Sequence, residues 1–255
     1  PVDEDEAPAR AEYERRRPSG DDGGSYMSGG RNVPGKFDYY ALVLSWSPTF
    51  CSEGGHADNP QCSTARPASR PYNFVLHGLW PQYNRGWPQD CRTARDPYVP
   101  RPLIDRMLDI MPAPKLVIHE YKKHGTCSGL DPERYYAFAR RLFTAVTIPD
   151  RFKDPETTQY VSPDDVVSEF VKANPGLKED AIAVSCGGGG NRMKEIHICL
   201  DRQGDYTACG GNEAKRKMCD AQSMAVPPVR VSSFAPAAAK RRSFGGAIME
   251  YFGKH

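Results

Sequence analysis

The chain has 255 residues, and its 34 Lys and Arg nearly balance its 32 Asp and Glu, which gives a formal net charge of +2. Such a length can bury one substantial core, and no linker divides it near the middle, so two equal domains are excluded. The small net charge means that any affinity for phosphate must come from a local cluster of side chains. Because no segment approaches the roughly 20 apolar residues that span a bilayer, we expect no membrane partner.

Composition divides the chain into three regions. Residues 1–35 mix acidic and basic side chains with Gly, Ser and Pro and show no apolar period, so we predict a disordered leader. Residues 36–220 contain the periodic apolar patterns and are predicted to form the folded domain. Residues 221–255 are rich in Pro, Ala, Lys and Arg and are predicted to be a C-terminal extension of unknown role.

The domain begins with predicted strands. Residues 37–47 are rich in aromatic and β-branched side chains and stop before a proline, which is typical of a buried strand. A second short strand is predicted for residues 72–76, and it leads directly into His77. Apolar residues then recur at helical spacing over 103–111, which predicts the first helix.

Three further helices are predicted in the middle of the chain. The segment 115–124 is expected to end at Gly125, in the left-handed conformation that often closes a helix. Asp131 and Ser162 each precede a proline, which is the pattern of an N-cap followed by proline at the first helical position. An apolar stripe follows each of these caps, so both helices are expected to pack one face against a core.

The C-terminal third returns to strands, at residues 181–184 and 196–198. They are joined through the glycine run 187–190, which we interpret as a flexible hairpin connection. A phosphate-binding loop would require a helix with Lys-Ser/Thr after the glycines, and none follows.

The eight cysteines form an even set without a CxxC or CxxH pair, which favours disulfides over a zinc site. Disulfides persist in oxidising compartments, so we expect a secreted or periplasmic protein. The number of cysteines alone leaves the pairing open. They are Cys51, Cys62, Cys91, Cys127, Cys186, Cys199, Cys209 and Cys219.

Two segments, 74–81 and 119–127, concentrate the side chains that could move protons or bind a phosphate. These side chains are His77, His119, Glu120, Lys123 and His124.

Residues four apart are neighbours on an α-helix, so Glu120 is expected to contact His124 and orient its ring, and His119 is expected to contact Lys123. A zinc peptidase needs two histidines four apart, whereas His119 and His124 are five apart and point away from each other. We therefore expect no metal and no other cofactor.

Cleavage of RNA by its own 2′-hydroxyl group fits these side chains, because the substrate supplies the nucleophile and no metal-bound water is needed. One imidazole removes the 2′-OH proton while another protonates the leaving 5′-oxygen, and both need a pKa near neutrality. Lys123 and a protonated His119 would stabilise the negative charge of the transition state. The expected substrate is therefore RNA.

The segments Phe-Val-Leu-His-Gly-Leu-Trp-Pro at 74–81 and His-Glu-Tyr-Lys-Lys-His-Gly-Thr-Cys at 119–127 resemble the two active-site segments of the ribonuclease T2 family of secreted, acid-type endoribonucleases. The resemblance runs from about residue 37 to residue 219. It implies an α+β fold in which several helices pack against an antiparallel sheet, with residues 36–220 as the catalytic domain. One departure is Tyr121, where the family usually has Trp.

The resemblance also implies a role for each ionisable residue. His124 would be the general base on the 2′-OH, and His77 would be the general acid for the 5′-oxygen. The remaining three, His119, Glu120 and Lys123, would bind and stabilise the phosphate. The product would be a 2′,3′-cyclic phosphate, which is hydrolysed more slowly to a 3′-phosphate.

Disulfides and base recognition follow from the same resemblance. Unstacked bases are held by aromatic rings, so Trp80 and Trp87 are expected to be walls of a base pocket, with Tyr83 beside them and Gln82 reading a base edge. Core packing is the alternative for Trp80. The implied disulfides are Cys51 with Cys62, Cys91 with Cys127, Cys186 with Cys219, and Cys199 with Cys209.

Two other classes of function stay open. One is a secreted RNA-binding protein that keeps the scaffold without turnover, although the intact ionisable residues argue against it. The other is a metallohydrolase. We expect a monomer with no obligatory protein partner, and we expect structural roles for His56 in a loop, His197 on a strand face and His255 in the tail.

Overall fold

The computed structural model describes residues 32–54, 56, 59–62, 72–187 and 191–229. Nearly all of the predicted leader, most of the predicted C-terminal extension, His255 and the centre of the glycine run lie outside these residues, so the expectations for them stay predictions. Residues 221–229 belong to the segment predicted as an extension, and they include a strand of the sheet.

The strands are β1 (Tyr39–Trp46), β2 (Phe74–Gln82), β3 (Gln159–Val161), β4 (Ile182–Gly187), β5 (Arg192–Leu200) and β6 (Met224–Val226). They form one sheet in the order β2-β1-β5-β6-β3, and β4 pairs with β5 outside this path. Every pairing is antiparallel except the single contact between β5 and β6. The expected α+β fold with an antiparallel sheet is therefore confirmed.

Helices pack with the sheet around one apolar core. They are α1 (Ser47–Ser52), α2 (Arg101–Met107), α3 (Pro114–Glu120), α4 (Thr126–Ser128), α5 (Pro132–Ala145), α6 (Pro163–Ala173) and α7 (Lys215–Met218). A π-helical turn, Tyr121–Gly125, joins α3 to α4, and 3-10 turns lie at Asp150–Phe152 and Glu179–Ala181. None of the described helices is long and apolar enough to cross a lipid bilayer.

Both predicted helix caps are present. The side chain of Asp131 accepts the backbone N–H of Arg134 at 2.9 Å, at the start of α5. Ser162 and Asp165 form a reciprocal capping box at the start of α6, in which each side chain accepts the other's backbone N–H. These bonds satisfy N–H groups that have no partner within the helix, which is why both helices begin where the sequence indicated.

The side chains on the two faces of strand β1 differ in size. Tyr40, Leu42 and Leu44 point into the core with the helices, whereas Ala41 and Val43 lie on the opposite face. Since β1 lies between β2 and β5, its small side chains on this second face leave space above them. Large side chains of β2 and β5 can therefore meet across β1.

His77 occupies a β-bulge in β2. Val43 pairs with Gly78 and Leu44 pairs with Leu76, so His77 lies between two paired positions without a partner on β1. A bulge re-aims the side chain of the extra residue and is common beside active sites. The sequence placed His77 at the end of a short strand, but β2 continues to Gln82, because the residues after the bulge resume the antiparallel pairing.

All four implied disulfides are confirmed, and they join Cys51 with Cys62, Cys91 with Cys127, Cys186 with Cys219, and Cys199 with Cys209. Two of them hold the segment 209–219, of which only the short helix α7 has regular structure, against β5 and β4. The Cys91–Cys127 bridge ties the loop that follows β2 to α4.

We expect the Cys91→Ala/Cys127→Ala variant to lose about 4 kcal/mol of unfolding free energy, because the bridge closes a loop with a sequence separation of 36. The Cys199→Ala/Cys209→Ala variant is a matched control with a separation of 10 and should lose about 3 kcal/mol. Equilibrium unfolding in guanidinium chloride measures both. A loss below about 1 kcal/mol at the longer loop would contradict the stabilising role of this bridge.

Candidate active site

The helix that carries four of the candidate residues continues past Gly125, where it was predicted to end. Gly125 has the right-handed helical value φ −59°, and the left-handed residue is Gly129, at φ 78°. In the π turn between α3 and α4, the ring of Tyr121 packs so closely over Gly125 that a Cβ at this position would overlap it. π turns are rare and are frequent at functional sites.

The π turn changes which side chains meet. Glu120 is only 1% exposed, and its Oε2 accepts the indole N–H of Trp80 at 2.6 Å. Its Oε1 lies 3.6 Å from Nε2 of His77. The predicted contact of Glu120 with His124 is therefore wrong, because it assumed regular α-helical spacing. Nδ1 of His124 has no hydrogen-bond partner in the part of the chain that the structure describes.

His77 lies between two carboxylates. Its Nδ1 is 2.6 Å from Oε1 of Glu195 on β5, and its Nε2 faces Glu120. Burial disfavours the charged ring, but the hydrogen bond to Glu195 and the charges of both carboxylates outweigh burial and raise the pKa of His77 above 6.5. These surroundings favour the charged, proton-donating form of the imidazole.

His124 has the opposite environment. It is 6% exposed, and its ring stacks on Trp80 at 5.0 Å between centroids. Burial first, and then the positive charges of Lys123 and His77, together lower the pKa of His124 to about 3. This imidazole is neutral at neutral pH and can accept a proton.

Trp80 brings the two histidines together. The ring of His77 approaches the indole edge at 5.1 Å, and His124 stacks on the indole face. Two titratable groups whose surroundings push their pKa values apart are the usual sign of an acid and a base in one site. The site therefore contains one imidazole whose charged form is favoured and one whose neutral form is favoured, both in contact with Trp80.

His119 and Lys123 lie at the outer side of this pair. His119 is an exposed residue, but part of its ring is removed from water. This desolvation is the main cause that lowers its pKa below 6.5, and the positive charges of Lys123 and His77 act in the same direction. The role of a protonated His119 in stabilising the transition state stays a prediction, and the lowered pKa favours the neutral ring in the free protein. Lys123 supplies the positive charge on this side, as shown by its effect on the pKa of both neighbouring histidines.

The loop after β2 is fixed to the same helix. The backbone N–H of Asp90 donates to the carbonyl oxygen of Lys123 at 2.8 Å, and Asp90 adopts φ 50°, a left-handed conformation that Asp tolerates better than most residues. The adjacent Cys91 forms the disulfide with Cys127. The loop is thus joined to this segment at Lys123 and again at Cys127.

The predicted base-binding residues have different surroundings. Trp87 is 54% exposed, and its turn begins at Tyr83, whose N–H donates to Gly86. Gln82 is buried, and its Oε1 accepts a hydrogen bond from Asn212 at 2.9 Å, so its carboxamide already has a structural partner. Trp80 contacts the two histidines, a role that the sequence did not predict. The base-binding roles of these residues stay predictions.

The sequence did not indicate Glu195 or Glu213, and it predicted only a structural role for His197. All three belong to the same cluster as His77: Glu195 contacts both His77 and His197, and Glu213 lies 3.7 Å from His197. The available signal was the alternation Glu-Ile-His-Ile in β5, which places two ionisable residues on one face of a strand. That pattern is also typical of a solvated face, so it did not identify the site.

In the described residues, no group of three or more His, Cys, Asp or Glu side chains is arranged to hold a metal ion. The metallohydrolase alternative, already disfavoured by the spacing of His119 and His124, gains no support. The expectation that the protein needs no metal stays a prediction for experiment.

Sequence comparisons identify relatives of the whole domain. A family model with the description "Ribonuclease T2 family" matches residues 37–209. A ribonuclease of Aeromonas hydrophila is 35% identical over 193 residues, which cover 72% of this chain and 81% of that protein. A probable ribonuclease of Haemophilus influenzae is 30% identical over 193 residues, which cover 71% of this chain and 64% of that protein.

Solved structures share the fold. Trichomaglin, described as a novel S-like ribonuclease, has a TM-score of 0.62 at 21% identity and covers 77% of this chain and 100% of its own. RNase NT, solved in complex with 5′-AMP, has a TM-score of 0.57 at 21% identity and covers 76% of this chain and 99% of its own. At this level of identity the similarity concerns the fold alone.

We expect Gly78→Ala to disrupt the contact between Glu120 and Trp80, because a Cβ at position 78 would overlap both Oε2 of Glu120 and Nε1 of Trp80. Overpacking of this kind costs about 1–3 kcal/mol of unfolding free energy. Denaturant unfolding measures the loss, and the NMR signal of the Trp80 indole N–H should move because its hydrogen bond is displaced.

Gly187→Ala at the end of β4 is the matched control. A Cβ there would meet only the flexible side chain of Lys194, at 3.2 Å, and should be accommodated. If Gly78→Ala left both the stability and the indole signal of the wild type unchanged, the tight packing around Glu120 would be refuted.

Proposed function

Because this chain belongs to the ribonuclease T2 family, and is thus an RNA endonuclease, we propose that it cleaves RNA by attack of the substrate's own 2′-hydroxyl group on phosphorus. The observation that carries this proposal is the pair of imidazoles in contact with Trp80, in which the pKa of His77 is raised and that of His124 is lowered. A charged imidazole can donate a proton and a neutral one can accept a proton at the same pH.

The first step needs both imidazoles at once. His124 takes the proton of the 2′-hydroxyl group while its oxygen forms a bond to phosphorus. The bond between phosphorus and the 5′-oxygen breaks, and His77 gives its proton to that oxygen. The products are a 2′,3′-cyclic phosphate and a free 5′-hydroxyl group.

The second step reverses the roles of the histidines. His77, now neutral, takes a proton from water, which attacks the cyclic phosphate, and His124 returns its proton to the 2′-oxygen. The product is a 3′-phosphate. The same two groups serve both steps, because each step leaves them in the protonation state that the next one requires.

Lys123 is assigned to the phosphate, because a fixed cation stabilises the transition state more than the ground state. Glu120 is assigned mainly to orientation, since its carboxylate holds Trp80 and faces His77. His119 contributes as a neutral donor to the phosphate in this proposal, and it gains positive charge when an anion binds beside it.

Base recognition is assigned to the turn after β2. Trp87 is exposed enough to stack on a base, and Tyr83 lies at the start of its turn. Trp80 would contribute only the part of its ring that the histidines leave open. Gln82 would read a base edge only after releasing Asn212.

Single-stranded RNA is the proposed substrate, since a base must be unstacked to reach an aromatic side chain. Four disulfides support a secreted or periplasmic location, because such bridges persist in oxidising compartments. We propose a monomer that needs no cofactor. A catalytically silent RNA-binding protein is not favoured, because all five predicted ionisable residues are present in the chain.

The direct test is digestion of a defined RNA in excess EDTA, with the product ends identified by mass spectrometry. We expect fragments ending in 2′,3′-cyclic phosphate early in the digest and in 3′-phosphate later. Loss of activity in EDTA that zinc restores would contradict the mechanism. The all-deoxy oligonucleotide of the same sequence is the control and should remain intact, because it lacks the attacking hydroxyl group.

We expect a broad bell-shaped dependence of kcat/KM on pH. The active form has neutral His124 and charged His77, so activity falls on the acid side as His124 takes a proton and on the basic side as His77 loses one. Since the pKa of His124 is lowered to about 3 and that of His77 is raised, the plateau should extend to both sides of 6.5.

This profile is measured with a dinucleotide substrate over the pH range in which circular dichroism shows a folded protein. An acid limb that lies above pH 6.5, or a basic limb below it, would contradict the assignment of base and acid, because it would require the opposite shift at one histidine.

A further inference from the structure

Five ionisable side chains from α3, β2, β5 and the segment 209–219 form a row, and acids alternate with imidazoles along it. In order they are Glu120, His77, Glu195, His197 and Glu213. The successive distances between nitrogen and oxygen atoms are 3.6, 2.6, 3.3 and 3.7 Å. The hydroxyl group of Tyr39 ends the row with a hydrogen bond to Glu213. The reaction described above uses only the first two members.

We propose that Glu195 is a positioning residue for His77, which holds the Nδ1–H of the ring so that Nε2 carries the proton delivered to the leaving 5′-oxygen. This inference rests on the proposed function, because it takes His77 as the general acid. Glu195 gains no proton in the step. The N–H bond at Nε2 breaks, the O–H bond of the leaving nucleoside forms, and the Nδ1–H remains hydrogen-bonded to Glu195.

The position of His77 explains why it needs such a partner. The bulge leaves His77 outside the pairing of β2 with β1, so the ladder alone does not fix the direction of its side chain. Glu195 lies on β5, and it is paired with Ser45 at the centre of the sheet. A carboxylate on a rigid strand can hold the orientation and the tautomer of an imidazole on a bulge.

His197 keeps Glu195 ionised. Burial would raise the pKa of Glu195, but the hydrogen bonds and charges of His197 and His77 outweigh it and lower that pKa well below its usual value. His197 is 6% exposed, and its own pKa is raised, because the carboxylates on its two sides outweigh its burial. Glu195 and Glu213 therefore favour the charged form of the buried His197 ring.

Other charges near His77 do not replace Glu195. His197 on β5 lowers the pKa of His77, and His119 and His124 on the helix side are neutral imidazoles near neutral pH. Only Glu120, from α3, also favours the charged ring, and it does so from the side of Nε2. Among the described residues, Glu195 alone hydrogen-bonds Nδ1 of His77.

The test compares two substrates in the Glu195→Gln variant. A dinucleoside monophosphate has an alcohol as leaving group and needs the general acid. A nucleoside 3′-(4-nitrophenyl phosphate) releases nitrophenolate, which leaves without a proton. We expect the variant to lose roughly 10- to 100-fold in kcat with the dinucleotide, as is typical when the partner of a functional histidine is removed, and to keep near wild-type kcat with the nitrophenyl ester.

The pH profile gives an independent measurement. Without the carboxylate of Glu195, His77 loses the contact that raises its pKa most, while burial still lowers that pKa. The basic limb of the pH profile with the dinucleotide should therefore move to lower pH. NMR titration of the imidazole nitrogens of His77, assigned with His77→Ala, should show the same direction. Cleavage of the nitrophenyl ester by the Glu195→Gln variant also shows whether the variant is correctly folded, because this reaction still needs His124.

Two further variants make the outcomes distinct. Glu53→Gln is the matched control, because Glu53 pairs with Lys194 at 2.9 Å outside the row, and it should resemble the wild type. His77→Ala should lose activity with the dinucleotide and retain it with the nitrophenyl ester. If His77→Ala lost activity equally with both substrates, the assignment of His77 as the acid, and with it the proposed function, would fail.

The positioning role can fail by itself. If His77→Ala behaved as expected but Glu195→Gln cleaved the dinucleotide at the wild-type rate with an unmoved basic limb, Glu195 would have no influence on the acid. If Glu195→Gln lost activity equally with both substrates and the His77 titration did not move, its role would be structural only. Either result overturns the proposal.

Discussion

Burial of several ionisable groups in one row is the constraint that shapes this molecule. An unpaired charge removed from water is strongly destabilising, so each buried acid here contacts an imidazole, an indole N–H or a tyrosine hydroxyl group. The small Ala41 and Val43 of β1 make these contacts possible, since they allow β2 and β5 to meet above them. The charge of His77 follows from this packing.

Segments with little regular structure are positioned by covalent and polar ties. Asn212 hydrogen-bonds the turn that carries Trp87, and the next residue, Glu213, lies beside His197. Both belong to the segment 209–219, which bridges attach at Cys209 and Cys219 to two neighbouring strands. The segment 209–219 therefore contacts both the candidate base-binding turn and the row of buried ionisable side chains.

Local patterns predicted much of the fold. Asp131 and Ser162 indicated helix starts because capping depends on residues close in sequence, and the two histidine segments identified the family. The π turn and the bulge at His77 were not predictable, because both arise from tertiary packing that overrides regular spacing. Glu195 escaped notice for a related reason: its partner is 118 residues away, on a strand that is not adjacent to its own.

The attachment of residues 209–219 links sulfur chemistry to proton chemistry. A chain with reduced cysteines would have the same histidines, but Glu213 would no longer be held beside His197 by neighbouring bridges. The electrostatic surroundings of a buried histidine thus depend on sulfur-sulfur links that lie outside its own strand.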